Sequence, residues 1–371
     1  MRDCVSHSTK PDHELDYLRK NYLISFQDVA LSPARMLLHS FEQLQLYSRL
    51  AKEGRLILHI DATGGIIKKS EYTKKTMYLF SAVADAPSED IPAVSVSDFL
   101  TEESTDEHIT FWLKKLRNDV ARIQHSRLSS QPSSPLVIVT DFSWVLIHAA
   151  LDVFCHTDIA TYLDRTFQRC ILRDEKPVEE SVIFSCASHF ISRAAKAMAK
   201  FFTAKEARVR QLLLSCIGLL VCSPDLETSQ VIWNTMVRVF GKANEDHAWS
   251  GDLKILERLL EGCVDVEHGT RAFTEDECED ELAEVVTSVG RENKPLRQIS
   301  PYASFFVNPE ECSADSDSGD YKPNSLYKLD VLAYIYKVWL PTYGLWGEPA
   351  LRGVKHVTKY LTNAKVESWF R

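Results

Sequence analysis

Two aspartates, Asp61 and Asp141, each end a run of apolar residues. Asp61 lies in LILHIDATGG, residues 56–65, and Asp141 closes PLVIVTD, residues 135–141. Apolar runs of this length predict buried β-strands. If the two strands are neighbours, both carboxylates lie at one edge of a sheet, where α/β folds commonly place their chemistry.

A divalent cation would relieve the repulsion between two adjacent carboxylates. Oxygen ligands without a His or Cys partner favour Mg²⁺ or Mn²⁺, which keep positions open for water and phosphate oxygens. Two such ions about 4 Å apart would activate an attacking water or 3′-hydroxyl and stabilise the leaving oxygen of a phosphodiester. This chemistry predicts a third acidic ligand from a late helix. Two simpler interpretations stay open, because Asp61 could be a polar strand end and Asp141 could cap the helix that starts at Ser143.

Cys186 and His189 form a C-x-x-H pair directly after a third apolar run, VIFSC at 182–186. A structural zinc site needs four ligands, and no second pair stands at a suitable spacing, so we expect no such site. His189 lies next to the predicted sheet edge. It could contact DNA or a phosphate there, or it could simply pack in the core.

Strands and helices must position these residues. A helix is predicted over ARMLLHSFEQLQLYSRLAK, residues 34–52, with Ser32 as its cap and Pro33 at its first position. Short strands at 55–61, 65–69 and 76–84 predict an antiparallel meander. An amphipathic helix is predicted over 95–124, since apolar residues recur there every three or four positions.

The remaining pattern alternates strands and helices up to about residue 200 and is helical beyond it. A meander followed by this alternation predicts an α/β fold, a mixed sheet with helices on both faces, interrupted by a large all-α insertion. The predicted domains are a mostly helical segment at 1–51, the first part of a core at 52–200, a helical insertion at 201–350 with an acidic loop at about 274–325, and a final core helix at 351–371.

Composition narrows the class of protein. The chain has 371 residues and a net charge of −9, and residues 251–350 hold 20 acidic against 9 basic groups. Bulk charge therefore does not indicate a strongly basic nucleic-acid binder. Nine scattered cysteines without a CxxC pair, and the absence of a secretory signal pattern, predict an intracellular protein. The longest apolar run, 212–222, predicts a buried helix, since it is about half a membrane span.

Four motifs in one order resemble those of the Mutator-like (MULE) transposases. They are DATGG at 61–65, TDFS at 140–143, CASH at 186–189 and TNAKVESW at 362–369. WLPTYGLW at 339–346 also resembles the aromatic segment that precedes the last helix of that family. The resemblance covers roughly residues 30–371. It implies an RNase H-like fold in which a helical domain is inserted before the helix that carries the final catalytic Glu.

The resemblance also implies a site and an activity. Asp61, Asp141 and Glu367 would form a DDE triad that binds two Mg²⁺ or Mn²⁺ ions, with Cys186 and His189 as the neighbouring C-x-x-H pair. The activity would be metal-dependent cleavage of transposon-end DNA, followed by strand transfer to target DNA. A nuclear location, no membrane association and a possible homodimer are implied as well.

Two departures from the family keep alternatives open. Members usually carry an N-terminal zinc-binding DNA-recognition module and continue beyond the Glu, whereas no such ligand pattern is found here and Arg371 follows Glu367 by four residues. A catalytically inactive, domesticated transposase that binds DNA or chromatin is therefore the main alternative, and a simple RNase H-like nuclease is another. For Trp339, Tyr343 and Trp346 we expect a place in the core rather than stacking on bases.

Overall fold

Apolar runs of the sequence become the central strands of one sheet. The computed structural model describes residues 26–31, 33–64, 77–85, 93–125, 134–172, 180–261, 295–312, 321–354 and 357. Among these residues, seven strands form a sheet in the order β1-β2-β5-β4-β3-β6-β7. The strands are β1 Phe26–Leu31, β2 Ala34–Leu38, β3 Ile57–Gly64, β4 Tyr78–Asp85, β5 Val94–Thr101, β6 Val137–Thr140 and β7 Val182–Ser185.

The sheet is mixed. β3 pairs antiparallel with β4 and parallel with β6, while β4 continues antiparallel to β5, which pairs with β2. The antiparallel β3-β4-β5 meander next to the parallel β6 is the arrangement expected of an RNase H-like core, and it confirms the predicted fold class. The predicted strand at 65–69 lies outside the described residues.

The helix predicted from Ser32 and Pro33 begins later than expected. Residues 34–38 are strand β2, which pairs with β5, and helix α1 spans Phe41–Lys52. Ser40 caps this helix: its side chain accepts from the backbone of Gln43, and the Gln43 side chain accepts from the backbone of Ser40. A capping box of this kind satisfies two backbone N–H groups and fixes the helix start.

The helix predicted over 95–124 was wrong in its first third. Residues 94–101 form β5, because this segment pairs with β4 on one side and β2 on the other. Helix α2 spans Asp106–His125, and its predicted apolar stripe is buried at Ile109, Trp112, Leu113, Leu116 and Val120. The Trp112 ring stacks on Phe99 of β5 with centroids 5.8 Å apart.

A buried polar network ties α2 to the sheet. His39, just after β2, is within 3.2 Å of the Asp119 carboxylate and 3.5 Å of the Ser97 hydroxyl, which also accepts from the Trp112 indole at 2.9 Å. Burial opposes ionisation of Asp119, but hydrogen bonds from His39 and Lys115 outweigh it and lower its pKa. Ser97 is 0% exposed, so this Ser–His–Asp chain is structural and not an active site.

Helices make up most of the later chain, as predicted. They are α3 Trp144–Ala150, extended by a π-helical turn Leu151–Cys155, α4 Ile159–Leu172, α5 Ala187–Ala199, α6 Ala207–Val221, α7 Leu226–Phe240, α8 Trp249–Glu261, α9 Leu296–Ile299, α10 Pro301–Phe305, α11 Pro309–Cys312 and α12 Leu329–Val338. Short 3₁₀ segments lie at Ala204–Glu206, Leu340–Leu345 and Glu348–Leu351, and β8 Asn244–Glu245 pairs with β9 Lys322–Pro323.

Part of the predicted acidic loop is folded. Residues 295–312 form α9, α10 and α11, and Leu296, Tyr302 and Phe306 are buried there. The acidic loop predicted at about 274–325 is therefore helical over 295–312, where apolar residues are buried. The most acidic portion, TEDECEDE at 274–281, lies outside the described residues.

The described residues divide into two compact units. Unit 1 contains those within Met1–His156 and Glu179–Ile183, and unit 2 those within Thr157–Val178 and Phe184–Thr362. In unit 2, Trp339, Tyr343 and Trp346 are at most 6% exposed, which confirms the predicted core role. No described helix is long and apolar enough to span a membrane.

Candidate active site

The sequence predicted Asp61 at the end of a strand, but Asp61 lies inside β3. β3 continues for three residues past Asp61, to Gly64, while its parallel neighbour β6 stops at Thr140. Asp61 is 7% exposed, and its Oδ1 accepts a hydrogen bond of 2.8 Å from the Ala62 amide. Asp61 therefore lies where the parallel pairing ends and the sheet opens at the carboxyl end of β6.

The strand register brings Asp141 next to Asp61. The last paired residues of β3 and β6 are Ile60 and Thr140. Asp61 directly follows Ile60, and Asp141 directly follows Thr140. Neighbouring strands are about 4.8 Å apart, and residues in register point to the same side of a sheet. Asp61 and Asp141 thus hold adjacent backbone positions in unit 1, and the meeting of their carboxylates stays a prediction.

Asp141 also lies two residues before the N-cap of α3. The N-cap of that helix is Ser143, whose side chain makes no capping hydrogen bond. The alternative role of Asp141 as a helix cap stays a prediction. Phe142 and Trp144, which flank the N-cap, are both buried and contact each other edge to face at 5.7 Å. This packing fixes the chain direction directly after Asp141.

A third acidic residue, Asp98, belongs to the same row across the sheet. In register, Asp61 pairs with Ser81 of β4, and Ser81 pairs with Asp98 of β5. The hydroxyls of Ser81 and Ser95 donate to Asp98 Oδ1 at 2.5 and 3.0 Å. Burial raises the pKa of Asp98, and these two hydrogen bonds only partly offset it.

Sequence reasoning missed Asp98 because residues 95–101 were assigned to a helix. The V-S-V-S alternation that opens VSVSDFLT is the signal that could have indicated a strand. Once β5 is recognised as the neighbour of β4, the order of the sheet brings Asp98 into the row of Asp61.

The C-x-x-H pair is held together at the start of α5, in unit 2. Cys186 is the N-cap of α5 and is 0% exposed, and its sulfur lies 3.0 Å from the Ser188 hydroxyl. Burial would raise the pKa of the Cys186 thiol, but hydrogen bonding and the charge of His189, together with Ser188, lower it below its ordinary value. The pair therefore makes ionisation of the Cys186 thiol easier than burial alone would allow.

The predicted triad is only partly within the described residues. Asp61 and Asp141 belong to unit 1, Cys186 and His189 belong to unit 2, and Glu367 lies outside the described ranges. Within those ranges, no group of three or more His, Cys, Asp or Glu side chains is arranged to hold a metal ion. The donor set of Asp61 and Asp141 consists of carboxylates alone, which fits a hard cation such as Mg²⁺ or Mn²⁺.

Comparison with known proteins gives one distant similarity. No family model matches the chain. Over 180 residues, it is 24% identical to the "120.7 kDa protein in NOF-FB transposable element" of Drosophila melanogaster. This match covers 48% of the chain and 15% of the length of that protein. The chain is thus similar to part of a transposable-element protein, and the similarity indicates a transposon-related origin.

Proposed function

We propose that this protein is a transposase-like enzyme that cuts and joins DNA phosphodiesters with two divalent metal ions. The observation that carries the proposal is the register of β3 and β6, which ends at Ile60 and Thr140 and so sets Asp61 beside Asp141. The similarity to a transposable-element protein supports DNA as the substrate. The Mutator-like family is the finer assignment that we propose.

The two aspartates would bind the metal ions from one side. The ions supply charge neutralisation and an activated water or 3′-hydroxyl when they are bound. Asp61 is fixed by its position in a buried strand and by the hydrogen bond from the Ala62 amide, so its carboxylate needs little reorganisation to bind. Glu367 would complete the second metal position from the last helix.

Small residues leave room beside the carboxylates. Ala62, Thr63 and Gly64 follow Asp61 on β3, and all three lie beyond the end of β6. The small side chains of these β3 residues would favour close approach of a phosphate backbone to Asp61. Cys186 and His189 would act as neighbours that contact the DNA, and this role is likewise proposed from the resemblance.

Plasmid nicking tests the proposed function. We expect the protein to nick supercoiled DNA in Mg²⁺ or Mn²⁺, and we expect Asp61→Asn and Asp141→Asn to abolish nicking while the near-UV circular dichroism spectrum stays unchanged. Asp152→Asn, at an exposed carboxylate on the π-helical turn of unit 1, is the matched control and should nick normally. Nicking by either active-site variant at the wild-type rate would refute the proposal.

One outcome would favour the main alternative. If the wild-type protein binds DNA but does not nick it in either metal, the domesticated, catalytically inactive transposase becomes the better description. Loss of the metal site would then be visible as the absence of any effect of Mg²⁺ on stability.

A further inference from the structure

The chain is acidic overall, but residues 193–210 form a strongly basic run. This basic run holds six Arg or Lys residues and one Glu, a net charge of +5 in a protein of net charge −9. It covers the second half of α5, the 3₁₀ segment and the start of α6, all in unit 2. The bulk charge of the chain conceals it.

Much of the basic run faces the solvent. Lys200, Lys205 and Arg208 are exposed, and Arg210 is half-buried. On α5, Arg193, Lys196 and Lys200 are spaced by three and four residues and so share one helix face. Because α5 and α6 pack against each other, the two halves of the basic run belong to one surface of unit 2.

The one acid of the run does not neutralise the exposed cations. Glu206 pairs with Lys328 at 2.6 Å and accepts from the backbone and hydroxyl of Thr203. The hydrogen bond from Lys328 is the main reason why the pKa of Glu206 falls to about 2. Glu206 is therefore engaged in capping the turn and in neutralising Lys328, which lies outside the run.

Helix stability does not explain the whole run. Lys196 and Lys200 near the end of α5 complement the helix dipole. Arg208 has the opposite position, in the first turn of α6 after the N-cap Glu206, where a cation opposes the helix dipole. A cation that weakens its own helix needs another reason to be there, and binding of an anion provides one.

Aromatic rings lie among the cations. The Lys200 ammonium is 5.2 Å from the centre of the Tyr334 ring and 5.5 Å from that of Phe201. Such contacts restrain a lysine while its charged end stays in water. A restrained, exposed ammonium loses less side-chain entropy when it binds a phosphate than a free one does.

We propose that the basic run, through Lys200, Lys205 and Arg208, binds the phosphate backbone of duplex DNA. Lysine and arginine side chains of this kind contact phosphates, so the contact would be independent of sequence. The choice of DNA as the partner rests on the proposed function.

Salt-dependent binding of duplex DNA tests this surface. The full 371-residue chain is titrated into a fluorescent 30-base-pair duplex in EDTA, so that no metal chemistry contributes. The patch variant carries the three substitutions Lys200→Gln, Lys205→Gln and Arg208→Gln. The control variant carries the same loss of charge at three other exposed residues of unit 2, which are Lys254→Gln, Arg258→Gln and Arg297→Gln.

The patch variant should bind on the order of 100-fold more weakly at 0.1 M salt, because each lost phosphate contact removes about 0.9 from the slope of log K against log salt. We expect that slope to fall by about 2.7 in the patch variant and to stay near the wild-type value in the control. Equal losses in both variants, or unchanged binding by the patch variant, would overturn the proposal. Because the titration is done in EDTA, it reports on this surface without the metal site, whereas loss of Mg²⁺-dependent nicking in Asp61→Asn reports on the metal site.

An alternative occupant would give the opposite result. The segment 272–290 contains seven acidic and no basic residues. If that segment covered the basic run, the patch variant would bind DNA as well as, or better than, the wild type, and the proposed DNA surface would be refuted.

Discussion

Replacing Asp61 by Asn removes one of two carboxylates that the strand register sets side by side. If the carboxylates are as far apart as neighbouring strands, about 5 Å, their repulsion at an effective dielectric constant of about 20 reaches about 3 kcal/mol. The substitution keeps the shape of the side chain and the oxygen that accepts from the Ala62 amide at 2.8 Å. We therefore expect Asp61→Asn to be about 1–3 kcal/mol more stable than the wild type in the absence of metal.

Added metal should reduce this difference in stability. A cation that binds only the folded wild type stabilises it by about 1.4 kcal/mol at a concentration ten times its Kd. The Asn variant has lost a ligand, so Mg²⁺ should leave its stability nearly unchanged. The assay is urea unfolding followed by fluorescence, with each protein measured in EDTA and in 10 mM Mg²⁺.

Asp152→Asn serves as the matched control for loss of one negative charge. The exposed Asp152 carboxylate pairs with Lys114 at 2.8 Å, and removing such a pair typically costs less than about 1 kcal/mol. Its variant should thus be slightly less stable than the wild type and should still respond to Mg²⁺. The reasoning fails if Asp61→Asn is less stable than the wild type in EDTA, or if Mg²⁺ stabilises the wild type and Asp61→Asn equally.

Three further predictions concern stability. Asp98→Asn should stabilise the protein at pH 7, because burial raises the pKa of Asp98 and makes its charge unfavourable. This gain in stability over the wild type should disappear as the pH falls towards about 4, where the wild-type carboxyl takes up a proton. A gain that stays constant across a pH series of urea unfolding curves would contradict this cause. His39→Ala should cost about 2–4 kcal/mol in urea unfolding, because Asp119 loses a buried partner, and a cost under 0.5 kcal/mol would show that the network is not structural. Tyr343→Phe should lower the free energy of unfolding by about 1–3 kcal/mol, because it removes the hydroxyl that donates to the Leu220 carbonyl at 2.6 Å. An unchanged free energy of unfolding in the same assay would contradict this hydrogen bond.

Local pattern was enough for the central strands and for the packed helix. The continuous apolar runs that end at Asp61 and Asp141 became β3 and β6, since such runs are stable only when both faces are covered. The apolar stripe around Trp112 became the buried face of α2 for the same reason. These signals are strong because each depends on burial of many residues in sequence.

Strands that depend on distant partners were not predictable. Residues 34–38 resemble a helix start after Ser32 and Pro33, and only pairing with β5 makes them a strand. β5 itself is held between β2 and β4. Because this segment was predicted as a helix, the position of Asp98 in the row of Asp61 was missed. In both cases the free energy that decides the structure comes from hydrogen bonds to segments far along the chain.

The catalytic role of the site residues stays a prediction, and the fold adds the positions of four of them. Register sets Asp61 beside Asp141, and local contacts couple Cys186 to Ser188 and His189. Glu367, the third predicted ligand, lies outside the described residues. The sequence motif around it is its only support.

Calorimetric titration with Mn²⁺ tests the central claim most directly. Mn²⁺ shares the oxygen-ligand preference of Mg²⁺, and its binding can be measured without DNA or turnover. We predict saturable binding to the wild-type protein, and loss of that binding in both Asp61→Asn and Asp141→Asn but not in Asp152→Asn. Identical titration curves for the wild type and the two active-site variants would contradict the account.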